Sequence, residues 1–388
     1  VTDLVAAPDR TLPGTPDDSA AGAEPSARRN APLAEIMRWS VLGLLVLLTL
    51  VLIDVHRFGG NNPVSMVQPG TRGAATALFA QDFPAIEQPD SKGLDGQQYY
   101  AIARDPFHLT ETGAHLDHPR YRLQRPLLSW AAWALHPNGG GLGLVYALIA
   151  VTTLGILAGA IATGYLSWCL RGPVWLAALF PILPGSWWAL RVTVSDAMAL
   201  GLALGAIALA SRSRYRWAVV VGILAVLAKE PVILVLGGWW LAHRDRRNLM
   251  VVAIPALAAA AWMGYLHLAL PPDLPRSQDI ALPFTGLVGA WQQVWSGGGE
   301  YVGMACTLGG FAIGIAALAF RRLRHPLGWA IAVQLGFMLC MGVNPTAMNF
   351  GGTRMAMPVT ILSAVALATP DAHRSTAGVD EVPERAIA

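Results

Sequence analysis

The chain has 388 residues, of which 54% are hydrophobic and only 13% charged, with a formal net charge of +3. Soluble domains carry about 25% charged residues, so this composition excludes an ordinary soluble domain and points to a membrane protein. The small basic excess is arginine in short clusters between apolar blocks, which reads as a topology signal, and no nucleic-acid partner is expected.

Residues 1–36 are rich in Ala, Pro, Asp, Ser and Gly and show no helical period. They read as a disordered cytoplasmic tail. The first apolar run, Met37 to Val55, contains LGLLVLLTLVLI and follows Arg28, Arg29 and Arg38. A long leader without a small-residue cleavage site favours an uncleaved anchor with its N-terminus inside. Residues 56–140 form the longest polar stretch and are expected to be the first extracytoplasmic loop. Tyr99–Asp105 suits a helix. Pro126–Leu135 is apolar but too short to span, so short interfacial helices are expected in this loop.

Further apolar blocks lie at about 141–169, 173–190, 196–210, 217–228, 231–242, 249–270, 301–320, 327–343 and 355–369. With the first run they predict an all-α polytopic membrane protein of about ten transmembrane helices. The spanning domain is 37–370, followed by a cytoplasmic tail at 371–388. Arg171, then Arg212, Arg214 and Arg216, then Arg244, Arg246 and Arg247, then Arg321, Arg322 and Arg324 occupy every second loop. If those loops are cytoplasmic, the positive-inside rule holds throughout and both termini are inside. The remaining loops hold Asp95, Arg120, Arg122, Arg125, Arg191, Asp196, Lys229, Glu230, Arg276, Asp279, Asn344 and Arg354.

Blocks 217–228 and 231–242 each reach only about 18 Å, against a hydrocarbon core of about 30 Å. Fusing them would put two arginine clusters on opposite sides. The charge pattern therefore predicts two short helices that turn back below the outer surface at Lys229-Glu230-Pro231, and non-helical backbone at that depth implies a cavity. Cys169, Cys306 and Cys340 lie in apolar runs, which argues against a disulfide framework or a thiolate metal centre.

Three constellations carry chemistry. Asp95 opens the segment LDGQQYYAIARDPF (94–107). A carboxylate there suits a general base for a hydroxyl nucleophile, or a cap for the helix that follows. Asp54, at the outer end of the first span, is the reserve candidate. Arg120, Arg122 and Arg125 flank Tyr121, and guanidinium groups match phosphate oxygens, whether of a substrate or of lipid headgroups. Asp196, Lys229, Glu230 and Arg354 are ionisable groups at helix ends, which mark a functional cavity or form structural Lys229–Glu230 and Asp196–Arg354 pairs. His108, His115, Asp117 and His118 have no familiar metal-ligand spacing and read as a solvated loop; no cofactor is expected, and a divalent metal lacks support. No P-loop, dinucleotide fingerprint or HExxH stands in the chain.

The first-loop pattern of Asp95, Tyr99, Ile102-Ala103 and Pro106-Phe107 resembles that of the GT-C superfamily of membrane glycosyltransferases, which use polyprenyl-phosphate sugars. It is similar above all to PIG-V-like mannosyltransferases and related actinobacterial membrane proteins, although Leu94 stands where a Trp often precedes the Asp. Tyr121-Arg122-Leu123-Gln124-Arg125-Pro126 resembles the stretch that follows in those relatives. Ser195-Asp196, Lys229-Glu230 and Gly352-Thr353-Arg354 resemble polar positions at their outer helix ends. The resemblance implies a GT-C-like fold. It implies inverting transfer of a hexose such as mannose from a polyprenyl-phosphate sugar donor to the hydroxyl of a glycan or glycolipid acceptor. The active site would face the extracytoplasmic side of the plasma membrane, among membrane lipids. Asp95 would be catalytic, and Gln98, Tyr99, Arg120, Arg122, Arg125, Asp196, Lys229, Glu230 and Arg354 would bind substrate. The rival classes are a secondary transporter or lipid flippase and a non-catalytic assembly subunit. A transporter places its polar groups near the midplane between related halves, and no internal repeat is visible.

Overall fold

The computed structural model describes residues 32–137, 139–273 and 280–370. The tails, up to residue 31 and from residue 371, lie outside the described residues, as do Arg276 and Asp279. The described part is all-helical, with one isolated bridge between Ile280 and Met341.

The first helix, α1, is Leu33–Phe58. The long segment between α1 and α7 then carries α2 (Thr76–Asp82), α3 (Asp95–Arg104), α4 (Leu109–Gly113), α5 (Pro119–Leu123) and α6 (Leu127–Leu135). The body continues with α7 (Leu142–Cys169), α8 (Leu179–Ile182), α9 (Pro184–Arg191), α10 (Asp196–Ser211), α11 (Tyr215–Ala228), α12 (Ile233–His243) and α13 (Arg246–Ala269). It closes with α14 (Thr285–Trp295), α15 (Tyr301–Arg321), α16 (Gly328–Leu339), α17 (Val343–Ala347) and α18 (Asn349–Ala368).

Among the described residues five helices, α1, α7, α13, α15 and α18, are long and apolar enough to cross a membrane, against about ten expected spans. The apolar α10, α11 and α16 are shorter. The block at 173–190 is not one helix but a 3-10 turn at Val174–Ala178 followed by α8 and α9. Leu183 is extended (ψ 139°) because Pro184 follows it, and a residue before proline is pushed out of the helical region. The last block starts earlier than expected. α18 reaches back to Asn349, whose N–H is capped by the Glu300 carboxylate. Arg354 therefore sits inside a helix rather than before one.

Close helix contacts rest on glycine. A Cβ on Gly201 of α10 would lie 2.5 Å from the Gly159 Cα of α7, so these two backbones touch directly. Without a hydrophobic drive between helices in lipid, such close approach is what gains packing energy.

The helix ends sort into two levels. At one level Arg212 lies over Trp168, Arg247 over Tyr215 and Arg244 over Trp329. Arg321 Nη2 donates to the Leu367 carbonyl there, and Gly172 abuts Thr369. The arginine clusters of alternate loops thus share one end of the bundle. At the other level Arg191 pairs with Asp54, and Arg120 reaches the end of α13 at Leu270. Cysteines placed at Ala85 and Ser213, both exposed and at opposite ends, test the side. In sealed cells an impermeant thiol reagent is expected to label Ala85→Cys and to miss Ser213→Cys, and the reverse pattern would invert the orientation.

No helix was expected between 270 and 301, yet α14 stands there. Gly286, Ala290 and Val294 are buried, while Phe284, Val288, Trp291 and Trp295 are exposed at i, i+4, i+7 and i+11. The Trp291 and Trp295 rings stack with centroids 5.6 Å apart. This is the pattern of a helix lying in a membrane interface.

Candidate functional site

The segment expected to turn at Lys229-Glu230-Pro231 breaks there. α11 ends at Ala228, and a 3-10 turn at Glu230–Val232, with Pro231 where a helix start tolerates a missing N–H, leads into α12. Lys229 is extended (φ −163°, ψ 117°), and the carbonyl of Ala228 accepts instead from Ser195 Oγ at 2.7 Å. The two flanking helices run back past each other. The start of α11 meets the start of α13 at Tyr215–Arg247, and the end of α12 meets it at Trp239–Asn248. Gly222 packs on Pro255, so α11 and α13 run side by side. The Lys229 turn is then level with about residue 262 of α13, roughly 10 Å short of the C-terminal end of that helix. Its polar groups lie at depth.

There they join groups from four other elements. Asp95 is the first residue of α3, and its side chain makes no cap bond to that helix. Asp95 Oδ1 instead accepts from Arg122 Nη1 at 2.8 Å, and Oδ2 from Arg354 Nη1 at 3.4 Å. Arg354 Nη1 also donates to Asp196 Oδ2 at 3.0 Å, and Lys229 Nζ to Asp196 Oδ1 at 2.5 Å. At the far end Arg122 holds Asp117 bidentately, both bonds at 2.7 Å. One chain of ions results: Asp117, Arg122, Asp95, Arg354, Asp196, Lys229. It has three carboxylates and three cations and is neutral, so it meets the requirement that charges out of water be paired. Its loosest link is Asp95 to Arg354, and the Asp95 side chain is 24% exposed. Asp95 Oδ2, in contact with Arg354 only at 3.4 and 3.5 Å, is the less firmly held of its two oxygens.

Beside this chain Glu230 accepts from Arg125 Nε at 2.8 Å and Nη2 at 2.5 Å, and from Gln124 Nε2 at 3.0 Å. The Arg125 guanidinium also lies 4.3 Å from the Tyr121 ring centroid. The weighed pairing of Lys229 with Glu230 is thus replaced. Neighbours in sequence across an extended residue point apart, so Lys229 faces Asp196 and Glu230 faces Gln124 and Arg125. The pairing of Asp196 with Arg354 is present.

Several expected site residues are placed elsewhere. Arg120 donates to the Leu270 and His267 carbonyls, and the N–H groups of Arg120 and Tyr121 bind Asp273, so Arg120 ties α5 to the end of α13. Gln98 is buried, its Oε1 accepting from the Asp117 N–H at 3.4 Å. Tyr99 is buried with its hydroxyl 2.7 Å from Ser195 Oγ, and burial pushes its phenol up to about 12. These two shape the wall behind Asp95 and do not face open space. Asp54, the reserve base, is held by Arg191 in a separate pair. His108 pairs with Asp105, Asp117 belongs to Arg122, and no cluster of three metal-ligating side chains exists among the described residues.

Asp117 and Phe350 escaped the sequence reading as partners of the site. Phe350 is four residues before Arg354, hence on the same helix face, and the guanidinium lies 3.3 Å from its ring centroid. Phe350 in turn meets Trp188 edge-on, with centroids 6.0 Å apart. The i,i+4 spacing was a usable signal once the helix was known to start at Asn349.

Burial raises the Asp95 carboxyl, but Arg122, Arg354 and Lys229 together outweigh it and hold the group below its ordinary value of 3.8. A depressed carboxyl contributes stability above the unfolded value and loses it as pH falls through the folded one. Any activity that needs the Asp95 carboxylate is expected to keep its acid limb below 3.8. Arg122→Gln removes the largest lowering influence, so the acid limb of the pH–rate profile is expected to move upward. An unmoved limb would show that the limb reports another group.

No protein-family profile, curated protein or solved structure matches the chain.

Proposed function

We propose that the protein is an inverting membrane glycosyltransferase of GT-C type that acts at the outer face of the plasma membrane. Its donor is a polyprenyl-phosphate hexose, with mannose the first candidate, and its acceptor is a hydroxyl of a glycan or glycolipid. The observation that carries this reading is the part-buried ion chain around Asp95, assembled from α3, α5, α10, α18 and the Lys229 turn.

The acceptor oxygen attacks the anomeric carbon as the bond from that carbon to the phosphate oxygen breaks, and the electron pair leaves with the lipid phosphate. The acceptor proton passes to Asp95 Oδ2. A low-lying carboxylate is a weak base, which suffices because the hydroxyl becomes acidic only as its new bond forms. The leaving phosphate needs cations. Every cation of the chain is already paired, so the phosphate has to take a guanidinium over from a carboxylate. Arg354, with its long contact to Asp95, is the one most readily shared. Lys229, 22% exposed, is the second.

The direct test uses the purified protein in liposomes with radiolabelled polyprenyl-phosphate mannose and other hexose donors. Label is expected to appear in a glycan or glycolipid acceptor with inverted anomeric configuration. Movement of intact donor lipid between leaflets, with no label transferred, would replace this reading with the flippase.

A further inference from the structure

A cleft lies away from the ion chain, at the opposite, arginine-rich end of the bundle. It encloses 620 Å³ between the starts of α11 and α13, and Arg214, Arg216, Arg247, Tyr215, Trp217 and Met250 line it. All three arginines are exposed. No carboxylate lines the cleft. The nearest acid in the chain, Asp245, is committed to capping α13 through the N–H groups of Arg247 and Asn248. The proposed reaction makes no use of this end of the molecule.

The lining is two-sided. Three guanidinium groups offer forked donors that suit phosphate oxygens. Trp217, 65% exposed, and Met250 lie on the outward faces of two apolar helices. A water-soluble anion would use only the first feature, and an acyl chain only the second. We propose that this cleft binds the headgroup of an anionic phospholipid, with the arginines on the phosphate and Trp217 and Met250 against the first part of its acyl chains. Topology signalling alone needs arginines at this end of the bundle, as at Arg171 and Arg322, but does not need them to converge on one cleft free of acids. The bound lipid would clamp α11 to α13, and α11 leads directly to the Lys229 turn.

The test is native mass spectrometry of the full-length protein, released from nanodiscs containing phosphatidylglycerol and phosphatidylcholine in equal amounts. The parent is expected to retain phosphatidylglycerol selectively. The double variant Arg214→Gln, Arg247→Gln is expected to retain it more weakly, by on the order of tenfold or more, given the attraction of each surface arginine to anionic lipid. The double variant Arg171→Gln, Arg322→Gln makes the same charge change at the same end and is expected to match the parent. If the first pair folds poorly, Arg216→Gln alone is expected to give a smaller loss in the same direction. Equal loss in both pairs would reduce the effect to general charge attraction and overturn the site. Equal retention of both lipids by the parent would do the same. Displacement of the lipid by inorganic phosphate would assign the cleft to a soluble anion instead.

Discussion

Asp95→Asn is expected to lower glycosyl transfer by roughly 10²–10⁴-fold, the range for loss of a general base, while leaving the protein folded. The fold survives because each cation beside Asp95 keeps another carboxylate. Arg122 retains its two bonds to Asp117, and Arg354 retains Asp196. The Asn amide oxygen can still accept from Arg122, but it cannot take the acceptor's proton. The readout is initial transfer rate at saturating donor, with thermal unfolding measured beside it. Activity within about threefold of the parent, far less than loss of a base would cause, excludes Asp95 as the base. Asp54→Asn is the control that distinguishes the two candidate carboxylates. Asp54 is bound to Arg191, so its loss is expected to reduce stability more than the chemical step.

The largest structural effect is expected from Glu230→Ala. Arg125 is 9% exposed at its side chain, and Glu230 takes two of its guanidinium bonds. Removing the carboxylate strands a buried cation, which costs roughly 3–5 kcal/mol where the surroundings cannot relax. Lys229→Met is the informative comparison, because the two residues are adjacent. It leaves Asp196 paired with Arg354, so the fold is expected to tolerate it while use of the phosphate donor weakens. Chemical or thermal unfolding in a fixed detergent gives the two stabilities. Equal destabilisation by the two variants would contradict the partners that the structure assigns to Glu230 and Lys229.

Much of the architecture was legible in the residues. Long apolar runs with few charges leave little choice but helices, since every backbone group in lipid must be satisfied within its own segment. The alternation of arginine clusters identified the loops that now lie together at one end of the bundle. The break at Lys229 was legible too, because the two apolar blocks beside it are each too short to span and the flanking arginine clusters argue against a single crossing. The number of full-length helices was less accessible. An apolar block states that its residues avoid water, not that they form one straight helix, and at 173–190, a block with three prolines, the chain forms short pieces packed against α1 and α7, with Pro184 separating α8 from α9.

Only the tertiary structure decided the site. Asp95, Arg122, Asp196, Lys229 and Arg354 were each visible as ionisable groups in loops or at helix ends, but which cation answers which carboxylate depends on distances across five elements. Sequence adjacency favoured Lys229 with Glu230, whereas an extended residue at the turn sends them to Asp196 and Arg125. The same limit holds for α18, which starts at Asn349 because a carboxylate from outside the helix caps it. Composition and periodicity act along the chain and determine what each segment must bury. Pairing of charges acts through space, and it is settled only when the helices have packed.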